Sequence, residues 1–285
     1  MDVELRPAGP SDIEACGRIC WSAFSRLAER HGFPSNVPSL ADGIGLIESV
    51  VLHPKIYGVV AELDGTIVGS NFLDERSSIC SVGPLTVDPH SQGMGVGHAL
   101  MNNTLARATR ITAAGVRLVQ AGYNSHSLAL YTRLGFRVRE PLACLQGDLA
   151  RRDNRDRLVR PATSADLDDC ARLCHRIHGH DRSNELMDSI SRGEGIVAIR
   201  GTRVTGYATG VGLFCHAVGE NNEDICALVS SVQEIRGTGM LVPATNAELL
   251  GHFLTNGLTL VHTMNLMTLG LYSEPTGSYL PSVGY

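Results

Sequence analysis

An internal duplication limits how this 285-residue chain can fold more than any other feature. The segment Arg6–Cys20 aligns with Arg160–Cys174, and seven of the fifteen pairs are identical. Both segments read as a strand end, an Arg-Pro turn, a Ser/Asp helix start and an amphipathic helix. The likeness continues with shorter spacing. Gly58-Val59-Val60-Ala61 matches Gly195-Ile196-Val197-Ala198, and each run leads into a glycine-centred hairpin, Asp64-Gly65-Thr66 or Gly201-Thr202-Arg203. Asn124, Leu128, Gly135 and Phe136 match Asn246, Leu250, Gly257 and Leu258. A period this long marks a duplicated domain, not a solenoid. Two domains are expected, 1–150 and 151–285, with the charged stretch Arg151–Arg157 as the link.

Composition narrows the functional classes. Hydrophobic residues make up 43% and charged residues 19%, which are globular values. A net charge of −5 argues against a protein that neutralises phosphates, and 5% aromatics argues against a base-stacking platform, so no nucleic-acid partner is expected. No apolar run approaches the roughly 18 residues of a membrane span, so no membrane partner is expected either. The first residues, Met1-Asp2-Val3-Glu4, lack an apolar signal core. A cytoplasmic location with eight reduced cysteines follows as the expectation. No CxxC pair suggests a zinc ribbon or a redox motif.

In the first copy, periodicity predicts helices near 11–29 and 40–52 and strands near 56–63, 66–73 and 79–87. A helix near 95–114, a strand near 116–121, a helix near 125–134 and a strand near 136–146 complete it. The expected class is α/β, a mixed, mostly antiparallel sheet flanked by helices in each copy. The most informative stretch is Val82–Met101. A strand ends at Val87, the turn Asp88-Pro89 follows, and Gln92-Gly93-Met94-Gly95-Val96-Gly97 opens a helix. Glycines let backbone N–H groups converge, and a helix start adds unpaired donors at its positive end. The combination suits a phosphate or pyrophosphate, although it is neither GxxxxGK[ST] nor GxGxxG.

Gln92–Gly97 resembles the (Arg/Gln)-x-x-Gly-x-(Gly/Ala) loop of the GCN5-related N-acetyltransferases (GNAT). That family's following motif has a counterpart in Val116–Ala121, Asn124, and Ser127–Phe136 with Tyr131 inside it. The resemblance covers the first copy fully and the second in outline, as a tandem member with a degenerate C-terminal copy. It implies acetyl-CoA as co-substrate and no metal. Gln92, Gly93, Met94, Gly95, Val96, Gly97 and His98 would hold the pyrophosphate through main-chain N–H groups. Leu85, Thr86 and Val87 would run beside the pantetheine arm, with Leu85 and Val87 pairing their backbone to it and an N–H there polarising the thioester carbonyl. Asn124 and Ser127 would belong to the same cofactor set, Asn124 bonding the arm. Tyr131 would protonate the departing thiolate, since a phenol stays neutral at working pH.

The base that takes the amine proton is less marked. Glu75 is the first candidate, followed by Asp74, Glu62 and His90; the structural alternative for Glu75 is a hairpin charge or an ion pair with Arg76. The acceptor is expected to be a small-molecule amine meeting the segment Trp21–Ile47, where Trp21, Phe24 and Phe33 line a pocket or close the core. A homodimer is left open. Transfer would be direct, in a ternary complex, because no cysteine occupies a motif position. The rival from another class is a non-catalytic acyl-CoA-binding or sensing module, and a third reading is the same fold using a different acyl-CoA.

The second copy departs where chemistry would need it. A strand is expected near Tyr207–Val218, then Gly219-Glu220-Asn221-Asn222-Glu223-Asp224 and a helix from about Ile225. Asn221 or Asn222 can cap that helix, and three carboxylates crowd its positive end. Phe253 stands where Tyr131 stands. The paired cysteines Cys16/Cys20 and Cys170/Cys174 read as core residues. His175, His178 and His180 read as partly exposed and not as a metal site.

Overall fold

The computed structural model describes residues 3–148 and 157–284. The expected link at 151–156 lies outside them. Arg157 is described, and it is no solvated linker residue. Its guanidinium bonds Asp224 at 2.7 Å and Glu223 at 2.6 Å.

The chain packs as two compact units. One comprises residues 1–118 and 129–134, the other mainly 119–128 and 135–283. In the first unit, β1 (Glu4–Pro7) leads through a short 3-10 turn into α1 (Ile13–His31) and α2 (Leu40–Val51). Strands β2 (Ile56–Leu63), β3 (Thr66–Asp74), β4 (Ile79–Val82) and β5 (Thr86–Val87) follow, then α3 (Val96–Arg110) and β6 (Gly115–Ala121), which passes into the other unit. The sheet order is β1-β2-β3-β4-β6, with β5 paired to β3 beyond β4. All pairings are antiparallel except β4 with β6. Helices α1 and α2 meet at two glycines. A Cβ on Gly17 would lie 2.7 Å from Ile44 Cα, and one on Gly43 would lie 2.6 Å from the Gly17 carbonyl. Beneath them Cys16, Cys20, Val37, Ile47, Val60 and Phe72 form a closed cluster. Helix α3 covers the other face through Val96 and Leu100, packed on Val59, Ala61 and Val68.

The expected strand 79–87 is two strands. After Ser81 pairs with Arg117 of β6, the chain breaks at Gly83 and resumes as β5 on β3 alone.

Helix α4 (Ser125–Arg133) is divided, residues 125–128 counting with the second unit and 129–133 with the first, and β7 (Arg137–Gln146) opens the rest of the second unit. Then come β8 (Leu158–Pro161), α5 (Leu167–His178), α6 (Ser183–Ser191), β9 (Ile196–Arg200), β10 (Arg203–Ala208), β11 (Ala217–Gly219) and α7 (Asn222–Ser231). β12 (Met240–Pro243), α8 (Ala247–Thr255), β13 (Thr259–Gly270) and β14 (Ser278–Leu280) end the series. One sheet has the order β14-β11-β10-β9-β8; in the other, β7 lies between β13 and β12. The strand that the repeat assigns to the first copy therefore packs between two strands of the second. The expected strand 207–218 is interrupted, since residues 209–216 form a loop between β10 and β11.

The duplication is visible in atomic detail. Arg6 forks onto Asp12 at 2.7 and 2.9 Å, and Arg160 forks onto Asp166 at 2.8 and 2.7 Å. Each aspartate also accepts a main-chain N–H three residues earlier, from Gly9 or Thr163, at 2.8 Å. The guanidinium and that N–H favour the charged form, so both carboxyls lie low, Asp166 at about 2.

Candidate functional site

The loop between β5 and α3 is shaped by its own residues. Asp88 turns the chain by accepting the His90 N–H on Oδ1 and the Ser91 N–H on its carbonyl, both at 2.8 Å. Gly93 and Gly95 have φ of 84° and 86°, a region that side-chain-bearing residues rarely enter. Positive and ordinary backbone values alternating along a loop turn successive N–H groups to one side, which makes an anion nest. Gly95 is the residue before α3, no side chain caps the helix, and its first turn carries no acidic residue. The helix ladder begins with the Ala99 N–H on the Gly95 carbonyl at 3.0 Å. The amides before it are the donors a helix start leaves without a carbonyl. A Cβ added to Gly93 or Gly95 would meet nothing within 4 Å, so open space lies beside the loop.

The register of β5 aims the rest of the site. The Asp88 N–H bonds the Val68 carbonyl at 2.8 Å, and Thr86 and Val87 pair with Ser70 and Gly69. Bonded and non-bonded pairs alternate in an antiparallel ladder. Thr86 therefore bonds toward β3, while the main-chain groups of Val87 and Leu85 point to the opposite edge. No strand lies against that edge among the described residues. The Val87 carbonyl there accepts from Gln92 Nε2 at 3.2 Å. Gly97 closes the corner; its Cβ would sit 3.7 Å from Leu130 and 3.8 Å from Val87.

The structure thus brings together Leu85, Thr86, Val87, Gln92, Gly93, Met94, Gly95, Val96, Gly97, His98 and Tyr131 in one unit. Val96 is buried and anchors the helix, whereas Gln92, Met94 and His98 are exposed, with His98 Nδ1 3.1 Å from Asn102. Tyr131 is buried, and burial pushes its hydroxyl up to about 12. Asn124 and Ser127 belong to the other unit. There Asn124 Oδ1 accepts the Ser127 N–H at 3.2 Å, and the Ser127 hydroxyl returns to the Asn124 carbonyl at 3.0 Å. Asn124 is thereby the cap of α4, and its amide N–H groups are the part able to bond a ligand.

The candidate bases are held. Glu75 takes both guanidinium contacts of Arg107, at 2.6 and 2.8 Å. Its partner is therefore Arg107 and not Arg76, which forks onto Asp74. Arg107 also lies over the Tyr57 ring, 5.3 Å from its centre, and Tyr57 donates to Asn103 at 2.9 Å. This group fastens the last turns of α3 to β2 and β3. Sequence reading missed it because the partners are 32 and 46 residues apart. Glu62 is taken by Arg6 at 2.7 Å. Of the four candidates, His90 alone carries no ion pair. In the acceptor segment Phe24 packs on the Cys16–Ile47 cluster, while Trp21 is 37% exposed.

Elsewhere, the cysteine pairs are core residues. Cys16, Cys20, Cys170 and Cys174 are buried, and burial raises Cys16 to about 11 and Cys20 and Cys170 to about 12, so they carry no thiolate. The histidine expectation needs correction. His178 and His180 are buried, edge to face at 6.0 Å, and only His175 is exposed. Among the described residues no group of three or more His, Cys, Asp or Glu side chains is placed to hold a metal ion. No helix of the described residues is long and apolar enough to cross a membrane.

Residues 54–138 match the acetyltransferase (GNAT) domain family. The fold of nearly the whole chain is shared by solved structures. An acetyltransferase from Pyrococcus horikoshii superposes with a TM-score of 0.74 at 17% identity, over 97% of this chain and 91% of that one. A GCN5-related N-acetyltransferase from Sphaerobacter thermophilus gives 0.63 at 15% identity, over 97% and 98%. A tandem GNAT protein from the clavulanic acid biosynthesis pathway gives 0.57 at 14% identity, over 94% and 98%. No curated protein matches the sequence. The glycine nest and the open β5 edge lie inside the segment that matches the GNAT family, and the chain as a whole has the tandem GNAT fold.

Proposed function

We propose that the first unit transfers an acetyl group from acetyl-CoA to the amine of a small molecule, directly and without a covalent enzyme intermediate. One observation carries the reading. An uncapped helix start with two left-handed glycines follows an unpaired strand edge, so donors for an anion and for an extended arm lie on one strand–loop–helix segment. The residues fit the co-substrate. The amides of Gly93–His98 would neutralise a pyrophosphate, and the outward N–H and C=O groups of Leu85 and Val87 would pair with an amide-bearing arm. Gln92 would release the Val87 carbonyl as the arm arrives.

An N–H on the β5 edge would bond the thioester oxygen as it gains charge. The amine nitrogen bonds the carbonyl carbon, the C–S bond breaks, the nitrogen loses a proton and the sulfur gains one. Tyr131, at about 12, is a weaker acid than a thiol near 8.5. Its first service is therefore hydrogen-bond donation to the developing thiolate, with the proton following. Glu75 would accept the amine proton only by giving up its two bonds to Arg107.

That cost favours a second reading, a non-catalytic acyl-CoA sensor that keeps the nest and uses neither group. The acetyl-transfer reading takes domain limits at 1–150 and 151–285 and a cytoplasmic location. Titration with CoA, acetyl-CoA and propionyl-CoA, followed by an amine panel read as free-thiol release, tests these readings. CoA binding without turnover on any amine would select the sensor.

A further inference from the structure

We infer that the cleft of the second unit has become a groove for a polypeptide strand, and that the chain's own β14 is its occupant. The inference builds on the reading of the first cleft as an acyl-CoA site. The two units can be compared bond by bond. In the second, the Glu220 N–H bonds the Thr205 carbonyl at 2.9 Å, as the Asp88 N–H bonds Val68 in the first. The same alternation then turns the main-chain groups of Ala217 and Gly219 away from β10. Those positions correspond to Leu85 and Val87. In the first unit the matching edge is open; in the second, β14 lies along it antiparallel, pairing Ala217 with Leu280, Val218 with Tyr279 and Gly219 with Ser278. An extended arm with regularly spaced amide groups is replaced by an extended peptide.

The groove is built to hold that peptide. Gly277 passes so close that a Cβ would lie 2.7 Å from the Gly219 carbonyl and 2.9 Å from Ile177 Cδ1. The Thr276 N–H bonds the Ile177 carbonyl at 3.0 Å. The Ser278 hydroxyl donates to Asn222 Oδ1 at 2.8 Å, and Asn222 exchanges bonds with Asn246 at 2.8 and 3.2 Å. Asn246 matches the arm-binding Asn124, yet here its amide is spent on the staple that fixes Ser278. The space left beside the strand, about 420 Å³, is lined by Glu220, Glu223 and Glu248. Asn221 caps α7 through the Asp224 N–H, and Glu223 and Asp224 occupy its first turn. A pyrophosphate would find carboxylates where the first unit offers bare amides.

The test uses the full chain and a labelled peptide spanning residues 274–283. Gly277→Val should expel β14 by the clash with Gly219. The folded variant, checked by far-UV circular dichroism, should bind the peptide saturably and at least tenfold tighter than the unaltered chain, whose groove is filled. Equal binding to both, or none to the folded variant, overturns the inference. If the variant does not fold, hydrogen exchange on the unaltered chain decides. The Ser278 and Leu280 amides should exchange ~10³-fold slower than an open chain, and exchange at open-chain rates overturns the inference. Calorimetry should count one CoA per chain. Two overturn the strand groove, whereas none removes the reading of Gln92–Gly97 and leaves the peptide result standing.

Discussion

The two strand–loop–helix segments, β5 to α3 and β11 to α7, differ in what sits at the helix start. α3 opens on Gly95 with no cap and no acid in its first turn, while α7 opens on Asn221 with Glu223 and Asp224 behind it. The difference teaches which features belong to stability and which to function. A capped, acid-bearing start is the more stable design, by about 1 kcal/mol for the cap alone. The first unit forgoes that stabilisation where an anion could supply it. The shared parts are the opposite case. The Arg6–Asp12 and Arg160–Asp166 forks are kept in both copies because each ties a strand end to the helix after it.

The sharpest way to break this contrast is Gly95→Glu, which places a side chain in left-handed backbone and a carboxylate at the nest. CoA affinity should fall by more than ~10²-fold with the fold retained, read by calorimetry. An unchanged affinity would remove the pyrophosphate from that loop. Next comes Tyr131→Phe, the residue the second copy already has. Turnover should fall ~10²-fold with CoA affinity within about twofold. Full turnover would leave Tyr131 a packing residue. The reverse change, Phe253→Tyr, should create no activity and should lower the melting temperature, because a buried hydroxyl without a partner costs about 1–3 kcal/mol.

The shared forks should behave alike. Asp166→Asn should cost on the order of 1–2 kcal/mol at neutral pH, tempered by the half-exposed Arg160, and Asp12→Asn should do similarly. Since the folded carboxyl of Asp166 lies at about 2, below its ordinary 3.8, its stabilisation is present above pH 3.8 and is lost as pH falls toward 2. Urea melts between pH 5 and 2 should show that acid limb flattened in the variant. The smallest effect expected is from Glu75→Gln. As the fastener of α3 it should lower stability by about 1 kcal/mol and leave the pH–rate profile unchanged. Loss of the acidic limb of that profile would instead make Glu75 the proton acceptor.

Much of the first unit could be read in advance because its signals are local. β2, α2 and β7 fall within a residue of expectation, since apolar period, hairpin glycines and the Ser39 cap mark their ends. The nest was legible for the same reason: loop glycines before an apolar helix are a local pattern. What escaped was partner choice. Nothing in Ile79–Val87 says that the ladder will transfer from β6 to β3 alone, and nothing in Glu75 names Arg107. β14 is three residues long and became visible only as the partner of Ala217–Gly219. Asp88 is written in the chain, but the direction in which Val87 faces depends on Val68.

The placement of β7 sets a clock on synthesis. Its ladder with β13 pairs Gln146 with Thr259, 113 residues later, and its other neighbour is β12. At roughly 5–20 residues per second, the apolar run Leu142–Leu145 waits roughly 6–24 s on the ribosome before Met264, its last partner on β13, exists. A chain stopped at residue 150 would hold that strand with both edges bare, the condition that invites pairing with another nascent copy. The duplication thus makes the chain's folding depend on the half that carries no nest, and slowing translation after residue 146 should raise aggregation more than slowing it after residue 270.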